Sequence, residues 1–150
     1  MFSSSQLAKV LALRRGIDVE MASLAAALHD IAVAATGKTE GHAQTAERHV
    51  RDAIQRYNSG PWTKLPRVTE AEEDMLVDAI VQHSDKAVFS DDTLAELLKD
   101  VDSLDRYLYG VKTEGAYLDR CYKVLRELGV EPQTDVPGRP QSGPSSAGQH

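Results

Sequence analysis

The stretch on which the fold turns is Leu24-Ala25-Ala26-Ala27-Leu28-His29-Asp30-Ile31. Met21, Leu24, Ala25, Leu28, Ile31 and Ala32 recur at three- and four-residue spacing, the pattern of one buried helical face. Asp18 is a good N-cap for this helix, and Thr36-Gly37 stops it. The spacing therefore predicts a helix over 18–36. His29-Asp30 would emerge near its end from a packed rather than a solvated element.

Working outward, the same period holds nearly throughout residues 1–130. Leu7, Val10, Leu11 and Ile17 suggest a first helix ending at Gly16. A third helix, 41–57, carries Ala43, Ala46, Val50, Ile54 and Tyr57, and Asn58-Ser59-Gly60-Pro61 ends it. Residues 60–68, with Pro61, Trp62 and Pro66, read as a loop. Thr69 and Glu72 form a capping box that opens a fourth helix, with Met75, Leu76, Ala79, Ile80 and His83 on one side. Ser90-Asp91-Asp92 begins a fifth, with Leu94, Leu97, Leu98, Val101, Leu104, Tyr107 and Leu108 inward. A sixth runs over 113–128 and is capped by Gly129. No segment alternates with period two. The expected fold is all-α, a compact bundle of five to six helices. Residues 131–150 hold four prolines and three glycines, with only Val136 and Ala147 apolar. Such a segment buries too little surface to offset its chain entropy and reads as a disordered tail.

The 150 residues are one domain's worth of chain, with 23 acidic and 17 basic side chains and a net charge of −6. This balance argues against nonspecific binding to nucleic acid or to an anionic membrane. The longest apolar runs are five residues, whereas a membrane-spanning helix needs roughly 20. The first five residues lack the basic start and apolar stretch of a signal peptide. One cysteine, Cys121, excludes an internal disulfide and a Cys-rich zinc site. These features lead to the expectation of a cytoplasmic protein. Four of its five histidines fall between positions 29 and 83.

His29-Asp30 sets a nitrogen donor beside a carboxylate, which suits a divalent metal of intermediate softness such as Mn, Fe, Co or Zn. A turn at Thr36-Gly37-Lys38 lets His42 fold back towards the pair. His83 ends the fourth helix on its apolar side, with Lys86 three residues later. Asp102 borders the buried face of the fifth helix, where a carboxylate needs a cation or several donors. Asp100 and Asp105 project differently and read as solvated, and His49 reads as structural or surface. Each residue alone has an ordinary reading: a helix-end His on the dipole, a hydrogen-bonded core His, a solvated Lys. Together they are three imidazoles and two carboxylates near the ends of successive helices. That is enough for one octahedral metal, or for two sharing a carboxylate.

The stretches LAAALHDI (24–31), GHAQTAERHV (41–50), AIVQHSDK (79–86) and LLKDVDSLD (97–105) resemble the HD-domain superfamily of metal-dependent phosphohydrolases. The resemblance implies an all-helical domain over 1–130 and one or two divalent ions (Mn, Fe, Co, Zn or Mg). It implies His29, Asp30 and Asp102 as core ligands, Asp30 also in the catalytic role, and His42 and His83 as the additional histidines of two-metal members. Lys38 or Lys86 would contact a phosphate. Two departures stand out. Ala32 occupies a position where the family usually has Gly. The family's first histidine, counted back from Gly16, falls immediately before Met1, and the nearest polar residues, Ser3, Ser4 and Ser5, are poor ligands. Three readings follow: an N-terminally shortened chain, a water in place of the imidazole, or a domain that has lost catalysis.

The expected function is hydrolysis of a phosphate ester or nucleotide through a metal-bound water. The alternative is a catalytically degenerate HD-like module with a ligand-binding or regulatory role, and a third reading is a bundle with incidental histidines. The expected partner is a small phosphorylated molecule, with neither duplex nucleic acid nor membrane.

Overall fold

The computed structural model describes residues 2–61 and 64–132. Its described residues form seven α-helices and no strand: α1 (Phe2–Arg15), α2 (Val19–Leu28), α3 (Ile31–Thr36), α4 (Ala46–Asn58), α5 (Glu70–Gln82), α6 (Thr93–Leu108) and α7 (Gly115–Glu127). Trp62, Thr63 and the tail from residue 133 lie outside the described residues.

Local chemistry explains the boundaries. Gly16 adopts φ +68°, which a side chain would oppose, and Ile17 N–H returns to the Ala12 carbonyl at 3.0 Å to close α1. Asp18 accepts from Met21 N–H at 2.9 Å and starts α2. The expected capping box of Thr69 and Glu72 starts α5. Asp92 caps α6 through Leu94 and Ala95 N–H.

Helix α6 is the central element and packs against α1, α2, α5 and α7. Leu97, Leu98 and Val101 of α6 meet Leu76 and Ile80 of α5 and the alanines Ala22, Ala25 and Ala26 of α2 in one buried cluster. Ala8 and Ala12 of α1 are also fully buried, and small side chains on both helices suit the close α1–α2 packing. Burying a side chain such as Leu97 is worth about 1.5–3 kcal/mol.

Several expectations need correction. The helix expected over 18–36 is two helices, broken at His29-Asp30, so six helices become seven segments. Val19–Thr36 is apolar enough by composition to cross a membrane (mean hydropathy 1.3), but this break interrupts it and six of its residues are buried in the bundle. The third helix starts at Ala46, and residues 40–45, including His42, form turns. Val10, Met75 and Leu108 are exposed rather than inward. They sit at the margins of stripes whose centres are Ala8, Leu11 and Ala12 on α1, Leu76, Ala79 and Ile80 on α5, and Leu97, Leu98 and Val101 on α6.

Candidate metal centre

His29 is the C-cap of α2 and His83 the C-cap of α5. Both are buried, and both occupy helix C-termini, where exposed carbonyls place partial negative charge that favours a cation. The His29 Nδ1 donates to the Ala26 carbonyl at 2.6 Å, and His83 Nδ1 to the Ile80 carbonyl at 2.6 Å. In the turn before α4, His42 Nδ1 donates to the Thr39 carbonyl at 2.7 Å. All three imidazoles thus use one device, an Nδ1–H bound to the carbonyl three residues back. A carbonyl only accepts, so each Nδ1 carries the proton and each Nε2 is left as the ligating nitrogen.

The three Nε2 atoms converge on two carboxylates. His29 Nε2 lies 3.2 Å from Asp30 Oδ2 and 3.4 Å from Asp102 Oδ1. His42 Nε2 lies 3.2 Å from Asp30 Oδ1, and His83 Nε2 3.8 Å from the same oxygen. The two nitrogens His42 Nε2 and His83 Nε2 are 3.1 Å apart. Asp30 is the N-cap of α3, yet its side chain makes no capping bond. An aspartate there normally caps. Here the carboxylate instead spans the histidines, one oxygen towards His42 and the other towards His29.

The electrostatics show which charges this arrangement favours. Burial opposes charge on His29, but the hydrogen bonds to Asp102 and Asp30 outweigh it and raise its pKa to about 10. Bonding to His29 holds the Asp30 carboxyl below the usual range. Burial pushes the Asp102 carboxyl up, but His29 and Lys86 outweigh it and bring it well below that range. Burial pushes His83 down to about 4, so it is neutral. With Nδ1–H committed, neutral His83 presents a lone pair to His42 Nε2 at 3.1 Å, and His29 faces two carboxylates. The charge of His29 itself answers its two carboxylates in the metal-free protein. A divalent cation can take that place, and the N and O donor set fits Mn, Fe, Co, Zn or Mg. Two overlapping ligand sets result: His29, His83 and Asp102, and Asp30, His42 and His83.

All five expected residues therefore come together, and of the two expected lysines Lys86 joins them through Asp102. Lys38 is exposed in the turn after α3. Lys86 is 3% exposed; its Nζ donates to Asp102 Oδ2 at 2.7 Å and to the His83 carbonyl, and it stands 5.0 Å from the centre of the Tyr117 ring. Lys86 is thus the counter-ion of Asp102. His49 lies outside both ligand sets.

A second network supports the first, and sequence reasoning missed it. Asp100, expected to be solvated, is 0% exposed and binds Arg15 at 2.6 Å, Lys123 at 2.8 Å and Arg120 at 3.0 Å. It lies where α1 and α7 flank α6, so long cations from both reach it. Arg120 also donates to Glu96 at 2.8 Å and to the carbonyls of Lys86 at 2.7 Å and Val88 at 3.0 Å. It ties the segment carrying Lys86 to α6 and α7. The sequence signal was available: Arg120 occupies the apolar stripe of α7, beside Cys121 and four residues before Val124.

The family model of the HD domain matches residues 1–107, a span that holds every ligand named above and ends before α7. No curated protein and no solved structure gives a significant match. On its helical order, its convergent His and Asp residues and this match over more than half its length, the chain belongs to the HD-domain family, a superfamily of metal-dependent phosphohydrolases.

Proposed function

We propose that the protein is a metal-dependent phosphohydrolase acting on a small phosphate ester or nucleotide. The observation that carries this reading is the convergence of three Nε2 atoms, each fixed by an Nδ1–carbonyl bond, on Asp30 and Asp102. A divalent ion bound there would lower the pKa of its water towards neutrality and hold phosphate oxygens. The chain supplies the rest. His29, His42 and His83 are pre-oriented, so little ordering remains to be done on binding. Asp102 is anchored by Lys86. Asp30 takes the catalytic role, because its carboxylate reaches both ligand sets and its side chain is 51% exposed, open to solvent and substrate. There it can orient a water and accept its proton. Lys38, exposed after α3, is the remaining candidate positive charge for a phosphate.

The test is metal content of protein purified without chelator, then phosphatase and phosphodiesterase assays with Mn²⁺. His29→Ala and Asp102→Ala should each lose metal and activity. Retention of both by either variant would refute the proposal. One observation favours a second reading, a metal-binding module without turnover: two of the three Lys86 donors are taken by Asp102 and the His83 carbonyl, and the side chain is buried away from an incoming phosphate. Stoichiometric metal without hydrolysis of any phosphoester would select it.

A further inference from the structure

We infer that Lys86 sets the number of ions in this centre: its ammonium takes the place of a second cation, and the chain holds one divalent ion rather than two. The inference rests on the metal-binding reading above and deepens it.

Two observations carry it independently. His83 belongs to both ligand sets, yet it has one free nitrogen, because Nδ1 is bound to the Ile80 carbonyl. Only one set can therefore be complete at a time. With His83 in the set of Asp30 and His42, a second ion would have His29 and Asp102 Oδ1 as its own ligands, with only the far oxygen of Asp30 shared between the ions. The usual remedy is a carboxylate that binds through both oxygens. Asp102 cannot offer this, because Oδ2 is held by Lys86 Nζ at 2.7 Å and only Oδ1 faces His29. Charge points the same way. Asp30 and Asp102 bring two negative charges, and the Lys86 ammonium, 3% exposed and in contact with Asp102, already cancels one. Two divalent ions beside it would leave the pocket strongly positive.

The position of Lys86 is enforced rather than incidental. Its ammonium is also held by the His83 carbonyl and faces the Tyr117 ring, and its own carbonyl accepts from Arg120. Tyr117 and Arg120 lie on α7, beyond the residues 1–107 that match the family. The lock on Asp102 is thus supported in part by a stretch of the chain that the family match does not include.

The experiment is metal stoichiometry by elemental analysis and Mn²⁺ titration of the full chain, comparing wild type with Lys86→Met, Lys86→Gln and Lys86→Arg. Wild type and Lys86→Arg should bind one ion. Lys86→Met should bind two, since Asp102 Oδ2 becomes free and one positive charge is gone. If the methionine variant does not fold, Lys86→Gln, which keeps a polar head without charge, should give the same doubling. A wild type that binds two ions, or neutral variants that stay at one, would overturn the inference while leaving the metal centre intact. A wild type that binds none would instead defeat the underlying reading, and this inference with it.

Discussion

Replacing Arg120 with Met tests whether the buried ion network holds the site in place. The guanidinium is 1% exposed and makes four bonds, to Glu96, Asp100 and the carbonyls of Lys86 and Val88. Methionine keeps most of the volume, so cavity formation is a minor part of the effect. Breaking a buried pair by removing one partner costs about 3–5 kcal/mol when the other charge is left alone. Asp100 would keep Arg15 and Lys123, Glu96 would keep Lys99, and the Val88 carbonyl would keep Lys99 Nζ. The Lys86 carbonyl has no other donor among the described bonds. The expected loss is therefore at the lower end, about 3 kcal/mol, a large share of a typical total of roughly 5–15 kcal/mol. Urea unfolding of metal-free protein measures it directly. The segment carrying Lys86 should also loosen, so Mn²⁺ affinity should fall along with stability. A loss below about 1 kcal/mol, the range of an exposed pair, would refute the reasoning.

Other expectations follow from the same structure. The raised pKa of His29 means that its charged form stabilises the metal-free protein fully below about pH 6.5, and this stability is lost as pH rises through about 10. Thermal melts of metal-free protein should show that fall. Proton and cation compete for His29, so Mn²⁺ affinity should rise up to about tenfold per pH unit across the same window, and a flat titration would contradict it. Leu97→Ala in α6 should cost about 2–5 kcal/mol by urea unfolding with metal stoichiometry retained. His49→Ala should leave metal binding unchanged, since His49 belongs to neither ligand set, and lost metal would put the ligand assignment in doubt.

Much of this protein is legible in its sequence because the relevant forces are local. Apolar spacing located the helices, Asp18 and the Thr69–Glu72 capping box marked two starts, and the ordered His and Asp residues are the ones that the fold brings together. The break at His29-Asp30 was not legible. Apolar spacing runs on from Leu28 through Ile31 and Ala32, and the interruption comes with a ring that takes the Ala26 carbonyl. Likewise, His42 has helical neighbours, but its ring closes a turn on Thr39 instead. The network of Arg15, Asp100 and Arg120 joins residues far apart in the chain, and periodicity does not report such pairings. That distance also explains Lys86: three residues after His83 it looks like a free cation, and only folding brings it to Asp102.

The central claim is that the three histidines and two aspartates form a cation site. The most direct measurement is the thermal midpoint of chelator-treated protein with and without Mn²⁺, for wild type and His83→Ala, the residue common to both ligand sets. Metal at a hundredfold excess over Kd should stabilise the wild type by about 2.7 kcal/mol. For a domain of this size that raises the midpoint by roughly 8 °C. His83→Ala should show little or no rise. An unchanged wild-type midpoint at saturating metal, or an equal rise in His83→Ala, would contradict the account.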